Sequence, residues 1–211
     1  MKRILFLGDS ITDARRDRAN DHYLGSGYAT IVASRVGLTH PGEYEFINRG
    51  INGNRIVDLY ARIKPDCIDL HPDIVSILIG INGVWHDVSP MDGVSALKYE
   101  TVYDFMMREL TGALPDARFM ILEPYVMQGS ITCNCKEYPD RWEKFQRETP
   151  LRSRAARRIA DKYKAVFVPL QERFDEACIK APSNCWVFDG VHPTACGHGL
   201  IADAWIERCR L

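Results

Sequence analysis

The chain carries almost no net charge: 27 lysines and arginines stand against 28 aspartates and glutamates, a formal −1 at neutral pH. That balance argues against nucleic-acid or membrane-surface binding driven by bulk charge. Long apolar runs are also missing, and no stretch approaches the ~20 residues of a membrane span. Lys2 and Arg3 precede only the short run Ile4–Leu7 before Gly8 interrupts it. That run is too short for the apolar core of a secretion signal, so a cytoplasmic location is expected. Internal repeats, low-complexity tracts and linker-like composition shifts are absent, and residues 1–211 are read as one domain. The seven cysteines are an odd, scattered set, expected to be reduced thiols rather than a disulfide framework. Cys133 and Cys135 are close in sequence, but no second ligand pair accompanies them, so no metal site is expected.

What is present is an ordinary globular composition, 46% hydrophobic and 26% charged, in 211 residues. Short apolar runs alternate with longer amphipathic stretches. Strands are expected at 4–7, 44–48, 74–79, 118–122 and 165–168. The run Ile74-Val-Ser-Ile-Leu-Ile79 is nearly continuous in apolar residues, as suits a central parallel strand covered on both faces. Helices are expected over 28–36, 56–63 (stopping before Pro65), 95–114, 141–163 and 195–209. In the third, Leu97, Val102, Phe105, Met106 and Leu110 form the expected buried stripe. In the fourth, Pro150 should break or kink the helix. The repeated strand–helix alternation predicts a three-layer α/β sandwich around a parallel sheet. Two long polar connections, 13–27 and 124–139, are expected to build or cover a site at the carboxyl edge of that sheet.

Chemistry is expected where strands end. Asp9 and Ser10 lie just past the first strand, in the crevice where open α/β sheets bind ligands. Both residue types also cap helices, so on their own they prove little. The far end of the chain reads Asp189-Gly-Val-His192-Pro193. A serine hydroxyl needs a base at neutral pH, and an imidazole with an unperturbed pKa near 6.5 suits that task. The imidazole in turn needs a carboxylate to fix its tautomer. Ser10, His192 and Asp189 could supply all three. Donors for a developing oxyanion are expected from Gly53 after the second strand and Asn82 after the third. Asp9, Arg55, Trp85, Tyr125 and Trp186 are candidate pocket residues, and His86 is a further one beside them. Arg152, Arg154, Arg157 and Arg158 are read as a solvated basic helix face, and His198 as a packing residue of the last helix.

Gly8-Asp9-Ser10-Ile11-Thr12, Gly53, Gly80-Ile81-Asn82 and Asp189-Gly-Val-His192-Pro193 together resemble the four blocks of the GDSL esterase/lipase superfamily, the SGNH hydrolases. Asn48-Arg-Gly-Ile-Asn-Gly-Asn-Arg55 and Leu122-Glu-Pro-Tyr125 bring the resemblance closest to small bacterial carbohydrate acetylesterases. The resemblance implies a five-stranded parallel sheet in the flavodoxin-like order 2-1-3-4-5. It implies Ser10 as nucleophile, His192 as base and Asp189 as its partner, with oxyanion donors from the Ser10 and Gly53 N–H groups and the Asn82 side chain. One position departs: Gly83 stands where the third block usually carries Asp, with Asp87 the nearest replacement in sequence.

The expected activity is hydrolysis of short O-acyl esters, acetyl above all, on a small saccharide, through an acyl-enzyme and without cofactor or metal. A lipase, lysophospholipase or thioesterase using the same triad is the first alternative. A flavodoxin-like binding module is the second, though neither Gly-x-Gly-x-x-Gly nor a P-loop follows any strand. The Gly-x-Ser-x-Gly elbow of the α/β-hydrolases is also missing.

Overall fold

Apolar residues alternate between two faces along the first strand, and that alternation sets the layers. The computed structural model describes residues 1–89 and 91–211. Its strands are β1 (Lys2–Gly8), β2 (Tyr44–Gly50), β3 (Ile74–Leu78), β4 (Arg118–Leu122) and β5 (Val166–Val168). They form one sheet in the order β2-β1-β3-β4-β5, with every neighbouring pair parallel. This is the expected topology. Ile4 and Phe6 belong to one buried cluster and Leu5 and Leu7 to another, as the two-residue period of a strand requires. All five residues of β3 are buried, which explains their uninterrupted apolar character.

The helices are α1 (Ser10–Asp13), α2 (Tyr28–Thr39), α3 (Ile56–Tyr60), α4 (Ile63–Asp66) and α5 (Ile81–Val88). They continue with α6 (Ala96–Ala113), α7 (Arg141–Lys162), α8 (Gln171–Lys180) and α9 (Ala195–Cys209). α2 and α9 cover one face of the sheet, where Trp205 packs on Phe6 with ring centroids 5.9 Å apart. The indole N–H donates to the buried Ser76 hydroxyl at 3.0 Å, so this strand serine is satisfied inside the core. α3, α6 and α7 cover the other face.

Several local expectations change. The helix expected over 56–63 is two short ones, and Pro65 lies inside α4 rather than beyond a helix end. At the third helical position its missing N–H would have had no helical partner anyway. α5 and α8 were not anticipated, and Asn82, expected just beyond the third strand, lies in the first turn of α5. The buried stripe of α6 runs through Tyr99, Tyr103, Met106, Met107 and Leu110, while Leu97 is 77% exposed. Tyrosine hid that face: a polar-looking residue buries its ring and sends its hydroxyl to a carbonyl, as Tyr99 does to Ile79 at 3.0 Å. α7 continues through Pro150, anchored on both sides by buried Phe145, Ala155 and Ala156.

Arg152 also departs from expectation. Arg154, Arg157 and Arg158 are exposed, but Arg152 is fully buried on the inner side of α7. It pairs with Glu148 and donates to the Val94 carbonyl at 2.6 Å. Val94 in turn donates its N–H to the Gly83 carbonyl at 3.1 Å. A Cβ on Gly83 would lie 3.2 Å from that of Val94. Gly83, the position that departs from the block it resembles, is therefore a close helix–loop contact held through Arg152. Asp87 lies 3.8 Å from Arg152 and has no hydrogen bond to Asn82.

Candidate active site

Gly8 at the end of β1 is in register with Gly50 of β2 and Leu78 of β3. The segments carrying Ser10, Gly53 and Asn82 therefore leave the sheet at one level and side by side. Asp9 caps α1, its carboxylate accepting the Ile11 N–H at 3.1 Å. The capping role and the placement of Ser10 are one arrangement: the cap turns the chain so that Ser10 opens the helix at the strand end.

Ser10 Oγ lies 3.0 Å from His192 Nε2, and His192 Nδ1 lies 2.7 Å from Asp189 Oδ2. The other Asp189 oxygen accepts the backbone N–H groups of Val191 and His192 at 3.0 and 2.9 Å. This side-chain turn fixes the carboxylate relative to the imidazole it faces. With Nδ1–H given to Asp189, Nε2 is left to accept a proton from Ser10. The hydrogen bond to Asp189 raises the His192 pKa above its ordinary 6.5 despite partial burial. Burial works against the Asp189 charge, yet the bonds from His192 and Val191 hold the carboxyl below its usual range. Asp9 behaves oppositely. Burial pushes its carboxyl up to about 7, against the Ile11 N–H bond and the attraction of His192.

The 124–139 connection forms the back of this turn. Met127 N–H donates to the Gly190 carbonyl at 2.8 Å, and Ile131 N–H to that of Asp189 at 3.0 Å. The Tyr125 hydroxyl donates to the Val191 carbonyl at 3.1 Å. Gly190 has φ +108, and a Cβ there would meet the Thr132 hydroxyl at 2.2 Å, so only glycine permits this contact.

Of the residues expected to donate to an oxyanion, Gly53 adopts φ +79 with open space around it. Its backbone conformation, rather than crowding, is what calls for glycine. Asn82 is 7% exposed and gives one amide hydrogen to the Asn54 carbonyl at 3.1 Å, leaving the second for a ligand.

The remaining candidates are placed differently. The Trp85 ring lies 6.3 Å from that of His192. Arg55 forks onto Asp58 at 2.8 and 2.9 Å and also reaches Asp92, so its guanidinium braces the start of α3. Tyr125 is buried and stacked on Phe174 at 4.2 Å, with its hydroxyl on the Val191 carbonyl of the Asp189–His192 turn. Trp186 donates to the Ala181 carbonyl and packs against the core. His86 pairs with Asp92 at 3.2 Å.

A cavity of about 540 Å³ opens beside Ser10 and His192. Arg15, Asn52, Phe188 and His198 line it, residues sequence reading had passed over or given to packing. Phe188, 70% exposed beside Asp189, was the one with a visible signal, an aromatic adjoining the Asp189–Pro193 block. His198 has no such signal: its Nδ1 accepts the Tyr28 N–H at 3.1 Å, and burial pushes its pKa down to about 4. Among the described residues, no group of three or more His, Cys, Asp or Glu is placed to hold a metal ion. No helix among them is long and apolar enough to cross a membrane.

A hydroxyl, an imidazole and a carboxylate in hydrogen-bonded sequence, at the carboxyl edge of a parallel α/β sheet, is the arrangement found in hydrolases that work through a serine. A family model described as the GDSL-like Lipase/Acylhydrolase family matches residues 6–200. An acetylxylan esterase of Geobacillus stearothermophilus is 30% identical over 98% of this chain and 93% of its own length. The crystal structure of a GDSL-like lipase from Parabacteroides merdae superposes with a TM-score of 0.91 at 32% identity, covering 98% of this chain and 94% of that one. A catalytic mutant of the Geobacillus acetylxylan esterase Axe2, an aspartate replaced by alanine, superposes at 0.86 with 30% identity, covering 100% and 94%. The chain belongs to the GDSL-like lipase/acylhydrolase family, and it is a carboxylic ester hydrolase.

Proposed function

We propose that the protein is a serine esterase removing acetyl groups from saccharide hydroxyls. The observation that carries this reading is the line Ser10–His192–Asp189 at the mouth of the 540 Å³ cavity. Ser10 attacks the ester carbonyl while His192 takes its proton, and Asp189 stabilises the imidazolium. Negative charge developing on the carbonyl oxygen is met by the Ser10 and Gly53 N–H groups and the Asn82 amide. His192 then gives its proton to the sugar oxygen as the C–O bond breaks, and a water activated by the same imidazole releases acetate from the acyl-enzyme.

The saccharide reading is supported by the exposed Phe188 face, a suitable platform for a pyranose ring, beside the polar Asn52 in the same cavity. The similarity to an acetylxylan esterase points the same way. Residues 1–211 act as one domain, without cofactor or metal, on small substrates in the cytoplasm. In the test, Ser10→Ala abolishes release of acetate from acetylated xylo-oligosaccharides and from 4-nitrophenyl acetate while the melting temperature stays near wild type. Turnover near wild type in that variant rejects the assignment. Faster hydrolysis of octanoyl than acetyl esters by the wild type replaces the saccharide reading with a lipase-like one.

A further inference from the structure

A guanidinium leaves water only where its N–H groups find partners, so a fully buried arginine is costly to keep. Arg152 is 0% exposed on the inner side of α7, and the Ser10–His192–Asp189 line makes no use of it. Its fork is divided between two elements. Nη1 is spent on its own helix, on the Glu148 carboxylate and on the Glu148 carbonyl at 3.2 Å. Nη2 crosses to the Val94 carbonyl at 2.6 Å and lies 3.8 Å from Asp87 of α5. Nε is buried with no hydrogen-bond partner among the described residues.

Residues 92–94, where Nη2 lands, are a strap across α5. Val94 is 1% exposed, and its N–H donates to the Gly83 carbonyl at 3.1 Å. Gly93 sits so close to α5 that a Cβ there would come within 2.4 Å of the Asp87 Cα. Asp92 is gripped by Arg55, which caps α3 directly after Gly53 and Asn54. Asn82, in the first turn of α5, immediately precedes Gly83 and gives one amide hydrogen to the Asn54 carbonyl at 3.1 Å. The strap therefore fixes the backbone beside Asn82 at the position where Gly83 has no side chain to do so. On the α7 side, the anchor of the strap is Arg152.

We propose that Arg152 is a positioning residue for Asn82. Through the Val94–Gly83 hydrogen bond it holds the first turn of α5, so that the second amide hydrogen of Asn82 stays aimed at the developing oxyanion. This rests on the oxyanion role given to Asn82 above and is independent of which ester is the substrate.

The experiment measures hydrolysis of 4-nitrophenyl acetate, with active sites counted by an organophosphate that labels Ser10, so that unfolded molecules are not scored. Removing an oxyanion donor costs about 10²–10³ in kcat, and Asn82→Ala sets that scale here. Displacing the donor costs less: Arg152→Met lowers kcat per labelled site roughly 10- to 100-fold, with KM within about 3-fold. In an Asn82→Ala background the same substitution costs less than about 2-fold, because the group it misplaces is gone. A residue that only supports the fold lowers both backgrounds alike. The pH at which kcat/KM falls stays at its wild-type value, since the His192–Asp189 bond is untouched. Arg152→Lys, which keeps the charge and a donor, recovers part of the loss. Glu148→Gln weakens the same anchor without emptying the buried site, and gives a smaller loss with the same dependence on Asn82.

Equal loss with and without Asn82 overturns the positioning role. So does a kcat near wild type in Arg152→Met, or in Glu148→Gln where Arg152→Met does not fold, while Asn82→Ala is impaired. A normal kcat in Asn82→Ala fails the oxyanion reading instead, and a wild type that the organophosphate does not label fails the serine-esterase reading beneath it.

Discussion

Two long polar connections leave the same edge of the sheet, and they are anchored in different ways. The 14–27 connection is held by side chains. Asn48 donates to the Thr12 and Leu24 carbonyls at 2.6 and 2.8 Å, and ion pairs join Arg18 to Asp13 and Arg49 to Asp21. The 124–139 connection is held chiefly by its own backbone, docked on the Asp189–Val191 turn, with Tyr125, Val126 and Met127 buried beneath it. The first forms a wall of the cavity; the second braces the imidazole and carboxylate. Backbone contacts tolerate little displacement, which suits groups that must meet within hydrogen-bond distance. Charged side chains at a surface can shift without breaking the fold, which suits a wall that meets a substrate.

Substitutions break this comparison at graded levels. Asp189→Asn removes the charge at the braced end while both connections stay intact, and kcat should fall about 10⁴-fold with the melting temperature near wild type. The wild-type kcat/KM should fall as pH drops through the His192 pKa, which lies above 6.5, because the base must be neutral. Any residual activity of Asp189→Asn should show that limb at lower pH, since the bond that raises the His192 pKa is weakened. A pH–rate series reads both.

Gly190→Ala pushes a methyl group into the Thr132 hydroxyl and separates the bracing connection from the turn. Displacement on the ångström scale predicts about a 100-fold loss in kcat, with KM changing less. Gly112→Ala, where a Cβ meets nothing within 4 Å, is the matched control.

Asn48→Ala releases the other connection, leaving the Thr12 and Leu24 carbonyls without their donor. The expected result is a rise in KM of about 10-fold with kcat within about 3-fold, a loss of substrate binding rather than of transition-state contacts. A fall in kcat at constant KM would erase the distinction between the two connections.

The smallest effect concerns Asp9 between them. Its carboxyl sits at about 7 in the native state against an ordinary 3.8, so the unfolded chain releases its proton first. Native stability then declines as pH rises from about 4 to about 7, and the loss is complete above that range. Asp9→Asn should therefore melt higher than wild type at pH 8 and level with it at pH 4. Thermal scans at the two values check it.

Legibility in sequence followed locality. β1 and β3, and the residues just beyond them, are read directly because an apolar run, a glycine and a polar cluster are neighbours in the chain. Asp189 and His192 share one turn, so their partnership is visible three residues apart. Arg152 was misread because its neighbours in sequence are exposed, whereas the Val94 carbonyl that it meets lies 58 residues away. The α6 stripe was misread because tyrosine looks polar until its ring has a core to enter. His198 belongs to α9 as expected, yet its ring reaches the start of α2 and the cavity wall.

Sequence alone was sufficient for the α/β class and the parallel sheet, which rest on short-range patterns, and for the resemblance carried by the blocks around Ser10, Asn82, Asp189 and His192, which in turn implied the strand order. Tertiary structure alone decided that residues 182 apart in the chain come to 3.0 Å, that Arg152 is buried, and that Arg55 spends its guanidinium on Asp58 and Asp92. The physical reason is that burial and charge pairing belong to whatever the fold brings alongside a residue, and a residue's own type sets only what it can do there.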